Sequence, residues 1–265
     1  MKKTQIAVIG LGFVGGAVFE TLKELGDKID LVGIDPAKGF STKFRDIKNF
    51  DGVFVCVPSP SKEDGSCDTS ILESVLNDLH RAEFEGVVIS KVTAPPDAYQ
   101  QLQEKYSNLV HAPEFLTAAN ALEDYRRGQF AIVGGEEKYR IQAEELIRLS
   151  QRQLKSVAHC SIAEASLTKY GINSFLATKV IFMNELATLT EKAGGHWPTV
   201  AGLLKLDNRL ASSHMQVPGP DGHYGFGGHC FPKDTEALLR YAEELEQNLS
   251  VLDIAVKKNK KIRLT

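Results

Sequence analysis

Long apolar runs are missing from this sequence; none reaches the ~18 residues that suggest a membrane span. The four cysteines, Cys56, Cys67, Cys160 and Cys230, show no C-x-x-C spacing, which argues against a zinc knuckle, and nothing at the N-terminus has the make-up of a secretory signal. The expectation is a soluble cytoplasmic protein with reduced cysteines, no metal site and no membrane partner. Charge of one sign is also lacking. With 31 basic and 34 acidic side chains the net charge is −3, so no global field draws the chain to nucleic acid. The basic tail, Lys257, Lys258, Lys260, Lys261 and Arg263, has no interleaved aromatics and reads as a solvated helix end. Any anionic ligand must be held by local groups. What remains is 265 residues, 43% of them hydrophobic, enough for one large domain or two smaller ones.

Thr4 to Ile9 is a β-branched apolar run followed by Gly10-Leu11-Gly12-Phe13-Val14-Gly15 and a helix-period stretch to about Leu25. A dinucleotide site asks for Gly10 in the tight turn, Gly12 where a pyrophosphate meets backbone, and Gly15 where helix packs on strand. A second strand, Ile29 to Ile34, ends at Asp35, twenty residues beyond Gly15. Its carboxylate suits ribose hydroxyls and repels a 2′-phosphate, which favours NAD over NADP. Lys38 stands close enough to oppose that preference. Phe13 reads more as packing than as chemistry.

Downstream, strands at Gly52–Val57, Val87–Ser90, Leu109–Val110, Gln129–Val133 and Leu154–Ala158 alternate with helices at Thr69–Leu79, Pro96–Lys105 and Glu136–Leu149. This alternation predicts an α/β fold with a parallel doubly wound (Rossmann) sheet, with ligands beyond the strands' carboxyl ends. Those ends carry Val57-Pro58-Ser59-Pro60, Lys91-Val92-Thr93-Ala94-Pro95 and His111-Ala112-Pro113-Glu114-Phe115-Leu116. Each alone is an ordinary proline-terminated strand. Together they put Ser59, Thr93 and Glu114 on the nicotinamide edge, Glu114 as a candidate general base.

A capping box, Ser161-Ile162-Ala163-Glu164, opens a long helix to about Lys192. It begins an all-helical second domain, 160–265, after a first domain of 1–159. Lys169 and Asn173 project from one face of that helix, either as a solvated pair or as an oxyanion clamp. Gly194-Gly195 ends the helix, another starts at Pro198, and a charged amphipathic helix is expected over Thr235–Asn248. Arg209 is either a phosphate clamp or a partner of Asp207. Between these helices lies Gly225-Phe226-Gly227-Gly228-His229-Cys230-Phe231-Pro232-Lys233-Asp234. Thiol, ammonium and carboxylate within five residues form either a catalytic loop or a tight turn around a core cysteine.

That decapeptide resembles the catalytic loop of the UDP-glucose/GDP-mannose dehydrogenase family. The glycine turn, Val55–Pro60, the Lys91–Pro95 turn, Pro113–Leu116, Lys169–Asn173, Phe182–Glu185 and Asp207–Arg209 are similar to its other motifs, in its order. The resemblance implies NAD-dependent oxidation of a nucleotide sugar's C6 alcohol to the uronate, through a Cys230 thiohemiacetal and thioester. It implies Cys230, Lys169, Asn173, Asp234, Glu114 and Thr93 as catalytic residues. Gly10, Gly12, Phe13, Val14, Gly15, Asp35, Val57, Pro58, Ser59 and Thr93 would hold the cofactor. Glu114, Phe115, Leu116, Lys169, Asn173, Arg209, Phe226 and Gly227 would hold substrate, Arg209 reaching the neighbouring subunit's substrate phosphates in a homodimer built on the long helix.

Three departures qualify that pattern. Ala118 replaces a second glutamate, His229 a serine, and the stretch from Arg209 to Cys230 is longer, around Pro218–Tyr224. The resemblance also implies a further nucleotide-binding domain beyond the helices read here. A piece of a longer chain, a short natural form, or a domain supplied by another chain all meet that expectation. A two-electron β-hydroxyacid-type dehydrogenase and a catalytically silent NAD-binding or assembly protein are the competing readings.

Overall fold

The protein is described by a computed structural model covering residues 2–264, without the side chain of Ala118. The first half runs β1 (Thr4–Ile9), α1 (Phe13–Lys23), β2 (Ile29–Asp35), β3 (Phe40–Ser41), β4 (Gly52–Val55), α2 (Ser70–Arg81), β5 (Val87–Ser90), α3 (Pro96–Lys105), β6 (Leu109–His111), α4 (Ala121–Arg127), β7 (Phe130–Gly134), α5 (Glu137–Ser150) and β8 (Ser156–Cys160). Then follow α6 (Ile162–Lys192), α7 (Trp197–Leu204), α8 (Cys230–Glu244) and α9 (Ser250–Arg263).

The eight strands form one sheet in the order β3-β2-β1-β4-β5-β6-β7-β8. Side chains of a strand alternate between faces, and here both faces are covered. Ile6 and Val8 of β1 therefore enter one core with Phe54, Val87 and Ile89, while Ala7 and Ile9 enter the other with Val53, Val55 and Val88. The parallel core is β2-β1-β4-β5-β6. The sheet is not parallel throughout, as the alternation alone implied. β3 is antiparallel to β2, and β7 meets β6 in one antiparallel pair, His111↔Gly134. An antiparallel neighbour needs no crossover, so residues 112–129 supply only the seven-residue α4, which the sequence reading did not anticipate.

The chain divides into one unit of Met1–Pro60 with Cys67–Lys169 and a second of Ser61–Ser66 with Tyr170–Thr265. The division falls inside α6, where the sequence reading divides at 159/160. The first two turns of α6 pack on the sheet: Ile162 joins its core, Ser166 Oγ donates to the Ala94 carbonyl at 2.7 Å, and a Cβ at Gly134 would meet Ile162 Cα at 2.9 Å. In the second unit, Ala177, Ile181, Phe226, Leu252 and Val256 form one core, and Met183, Trp197, Ala201 and Met215 another. Arg240 Nε donates to the Asp64 carbonyl at 2.7 Å, fastening the 61–66 segment there.

α8 starts at Cys230, five residues before the helix expected from Thr235. Pro232 lies in the first turn, where its missing N–H costs nothing. The helix ends at Glu244, before a left-handed Glu246 (φ 56°). Among the described residues no helix is long and apolar enough to cross a membrane, and no group of three or more His, Cys, Asp or Glu could hold a metal ion.

Of the described glycines, those in the turn between β1 and α1 include the one with least room for a side chain. Gly10 has φ +80°, and a Cβ at Gly15 would lie 1.8 Å from the Gly10 carbonyl oxygen, whereas one at Gly12 would meet nothing within 4 Å. Gly15→Ala should therefore lower unfolding free energy by about 3 kcal/mol or more, and Gly12→Ala by less than about 1 kcal/mol. Urea denaturation of both variants tests this; equal losses would contradict the packing described.

Candidate active site

In the first unit the candidate residues gather at the carboxyl ends of β1, β2, β4, β5 and β6. Gly12 is the N-cap of α1, whose first-turn N–H groups have no intrahelical acceptors. Asp35, at the end of β2, accepts a hydrogen bond from the Leu11 N–H at 2.8 Å through Oδ2, which ties the glycine turn to the carboxylate expected to read the ribose. Lys38 Nζ donates to the Leu11 carbonyl. An open space over Gly12, a helix N-terminus and a carboxylate at the next strand end fit a dinucleotide. Phe13 is 51% exposed and so is not the packing residue that the sequence suggested; Val14 is half-buried. Ser59 Oγ donates to the Thr93 carbonyl at 2.7 Å, joining the β4 and β5 ends, with Val57 half-buried and Pro58 exposed beside them.

At the end of β6, Glu114 and Lys169 form an ion pair. Lys169 Nζ donates to Glu114 Oε1 at 3.0 Å and to the Glu114 carbonyl at 2.6 Å, and the Leu116 N–H donates to Oε2 at 2.6 Å. Only 4% of the Lys169 side chain and 9% of that of Glu114 are exposed. The Lys169 ammonium stands 5.4 Å from the centre of the Phe115 ring, within cation–π range.

Sequence reasoning missed two neighbours of this pair. Lys91, buried at the end of β5, lies 5.8 Å from the Tyr125 ring centre and lines a cavity of about 100 Å³ with Glu114, Asp124 and Gln151. Burial pushes its ammonium down to about 8, opposed by the charges of Cys56 and Glu114; burial likewise pushes the Cys56 thiol up to about 12. His111 is fully buried and stacked on Tyr99, with ring centres 4.3 Å apart. Its Nδ1 lies 3.2 Å from the Ser90 carbonyl, an acceptor, so Nδ1 carries the proton. Burial first, then the charges of Lys91 and Lys169, holds its pKa down at about 3. An ionisable side chain inside an apolar strand run, as at Lys91 and His111, is the signal that would have found both.

In the second unit Cys230 is the first residue of α8, at the positive end of a fifteen-residue helix. One turn on, Asp234 accepts from Asn173 Nδ2 at 2.6 Å through Oδ2 and from Lys233 Nζ at 2.6 Å through Oδ1. Lys169 and Asn173, paired by their spacing on α6, are thus committed to different carboxylates. The Phe226 side chain is in the core, and its backbone N–H and carbonyl are both held by Asn259, at 2.7 and 3.0 Å. Asn184 accepts from the Gly225 N–H at 3.0 Å. At Gly227 an added Cβ would lie 2.4 Å from Arg263 Nη2. Arg209 is exposed and paired with Asp207, Nη2 to Oδ2 at 2.5 Å. His229 is exposed at the N-cap of α8.

Residues 37–151 match the model of the UDP-glucose/GDP-mannose dehydrogenase family, NAD binding domain, and residues 163–261 that of its central domain. A UDP-glucose 6-dehydrogenase of Rickettsia felis is 32% identical over 82% of this chain and 49% of its own length. The chain spans about half the length of the curated relatives that it matches at this level. A UDP-glucose dehydrogenase from Pyrobaculum islandicum superposes with a TM-score of 0.83 at 22% identity, covering 98% of this chain and 68% of that one. A 3-hydroxyisobutyrate dehydrogenase of Mycobacterium tuberculosis gives 0.78 at 18%, covering 98% and 94%; these two likenesses are of fold.

The lowered pKa of Lys91 makes stability depend on pH. Below about 8 both folded and unfolded chains hold the proton, and the folded state bears the full cost of a buried cation. Between about 8 and the ordinary 10.5 only the unfolded chain binds it, so stability rises with pH. Relative to a Lys91→Met variant, wild type should gain about 3 kcal/mol across that window. Urea unfolding of both at pH 7 and 10.5 reads the change; a constant difference would place the ammonium in solvent.

Proposed function

The chain belongs to the UDP-glucose/GDP-mannose dehydrogenase family, and from that premise we propose that it oxidises the C6 alcohol of a nucleotide sugar to the carboxylate, with Cys230 holding the sugar between two oxidations. The observation that carries this reading is a cysteine at a helix N-terminus, one turn before an Asp234 bonded to both Asn173 and Lys233. The Gly10–Gly15 turn and Asp35 would hold NAD, which would supply the hydride acceptor for each oxidation.

The chain's own groups handle the protons and the carbon–sulfur bond. Asp234 takes the alcohol proton in the first oxidation through a water, while the Lys169 ammonium donates to the oxygen. The Cys230 thiolate, favoured by the amides of the first α8 turn, adds to the aldehyde carbon; the carbonyl π pair moves to oxygen and takes a proton, which gives a thiohemiacetal. Lys169 and Asn173 hold the oxygen, each sharing a donor now given to Glu114 or Asp234. The second hydride loss and loss of the hydroxyl proton leave a thioester. Water, ordered with the help of Thr93, attacks it; Glu114 takes the water's proton, the carbon–sulfur bond breaks, and its electron pair returns to Cys230 as thiolate. Ala118 stands in place of a second carboxylate, which leaves this step to be slower or differently arranged. A two-electron dehydrogenase has no use for this thiol, so the shared fold with 3-hydroxyisobutyrate dehydrogenase does not favour that alternative.

The same reading includes a homodimer on α6. Phe175, Phe182 and Leu189, spaced by seven, are 69, 58 and 62% exposed. Such a stripe stays on one side of a helix and suits a second copy.

With NAD and UDP-glucose, two NADH should form per sugar consumed; one would indicate a two-electron dehydrogenase, and none across a sugar-nucleotide panel a silent protein. Cys230→Ala should abolish uronate formation while retaining at most one slow hydride transfer. Uronate made at the wild-type rate by that variant would refute the covalent route. By light scattering, wild type should have the mass of two chains and Phe182→Glu of one; a monomeric wild type would remove the dimer.

A further inference from the structure

Glu114 is held by a bond that it would have to give up. Its two carboxylate oxygens offer about four lone-pair positions. The Lys169 ammonium takes one on Oε1 at 3.0 Å, and the Leu116 N–H one on Oε2 at 2.6 Å. Among the described residues Lys169 is the one cation hydrogen-bonded to this carboxylate. On the reading above, Lys169 turns its donor to the reacting oxygen while Glu114 still has a water to deprotonate. For that interval a carboxylate only 9% exposed has its ion-pair partner engaged elsewhere. Desolvation then favours the neutral acid, and a protonated Glu114 cannot act as the base.

A second cation stands on the same cavity. Lys91, at the end of β5, lines its roughly 100 Å³ together with Glu114, Asp124 and Gln151. The Lys91 ammonium lies 5.8 Å from the Tyr125 ring centre, and no described residue accepts a hydrogen bond from it. The ionisable groups around it are Cys56 after β4, His111 and Glu114 on the β6 side, Asp124 and Tyr125 of α4, and Lys169 of α6. Burial keeps Cys56, Tyr125 and His111 neutral at pH 7. Asp124 Oδ2 accepts from both the N–H and the hydroxyl of Thr117. Of the carboxylates, it is Glu114 whose charge acts on Lys91.

Packing does not explain Lys91. A buried ammonium without a hydrogen bond costs the fold stability that an apolar side chain of the same length would not. A charge kept in reserve beside Glu114 does explain it.

We infer that Lys91 is a positioning residue for Glu114, the standby counter-ion that keeps this carboxylate ionised and in place while Lys169 is engaged by the reacting oxygen. The inference rests on the nucleotide-sugar reading above, which supplies the moment of exchange; the geometry is that of the first unit alone. Lys91 transfers no proton and touches no sugar. With a pKa of about 8 it carries its charge at pH 7.

Two measurements test this, and the first needs no turnover. The infrared carboxyl band of Glu114, assigned by its loss in Glu114→Gln companions, is titrated in Lys169→Met and in Lys169→Met/Lys91→Met, with thermal unfolding reporting on fold. Lys169→Gln replaces Lys169→Met in both if the latter does not fold. Glu114 should titrate about two pH units or more higher in the double variant. Coincident midpoints overturn the inference whatever the protein oxidises. In the second measurement, the rate of uronate release is followed against pH in wild type, Lys91→Met and Lys91→Arg. Its acid limb should move up by about one pH unit or more in Lys91→Met and return in Lys91→Arg, with the KM for NAD unchanged. A limb that stays in place while the rate falls would make Lys91 merely structural and overturn the inference. A shifted carboxyl titration in a protein that forms no uronate from any sugar nucleotide would sustain the counter-ion and remove the nucleotide-sugar reading instead.

Discussion

The buried ion pair of Glu114 and Lys169 is the constraint around which the sheet unit is arranged. Two charges with side chains less than a tenth exposed cost several kcal/mol each to take from water, and their attraction repays this only if the remaining donors and acceptors are also met. They are met here by the Glu114 carbonyl, the Leu116 N–H and the face of Phe115. A hydrophobic pair of the same volume would stabilise the fold as well or better. On the proposed function the pair is chemistry held ready: a carboxylate and an ammonium kept in register, each to trade its partner for a reacting oxygen.

Much of the fold was legible because its physics is local. β-branched runs of four to seven residues mark β1, β2 and β5, and the boundaries of α3 coincide with the expected Pro96–Lys105. The misplacements have physical causes. The helix expected from Thr235 begins instead at Cys230, its first turn accommodating Pro232. The antiparallel meeting of β6 and β7 rests on one residue pair, which no period in the sequence encodes. Phe13 reads as packing because it is aromatic and apolar, yet it is 51% exposed at the start of α1.

The site was legible as a set of residue types and not as a set of bonds. Spacing on α6 put Lys169 and Asn173 on one face, but spacing cannot say which carboxylate each would find. Lys91 and His111 were hidden in strand ends that read as apolar. Arg209 remained undecided between a clamp and an Asp207 partner, and it is the Asp207 pair that the structure contains. Partner choice depends on side chains distant in sequence, 55 residues apart for Glu114 with Lys169 and 61 for Asn173 with Asp234.

Around Cys230 the strongest polar groups hold backbone. Asn259 occupies both polar atoms of Phe226, Asn184 the amide of Gly225, and Lys179 three successive-region carbonyls of the 210–213 segment. Residues that grip main chain in this way add no reacting group, but they remove the freedom of the segment leading into Cys230, the proposed nucleophile. A glycine-rich segment is entropically the costliest kind to order, and without such anchors Gly225–Gly228 would sample many conformations. With them, the reorganisation cost is met in folding, before any substrate arrives, which is the condition under which hydrogen bonds and helix dipoles lower a reaction barrier.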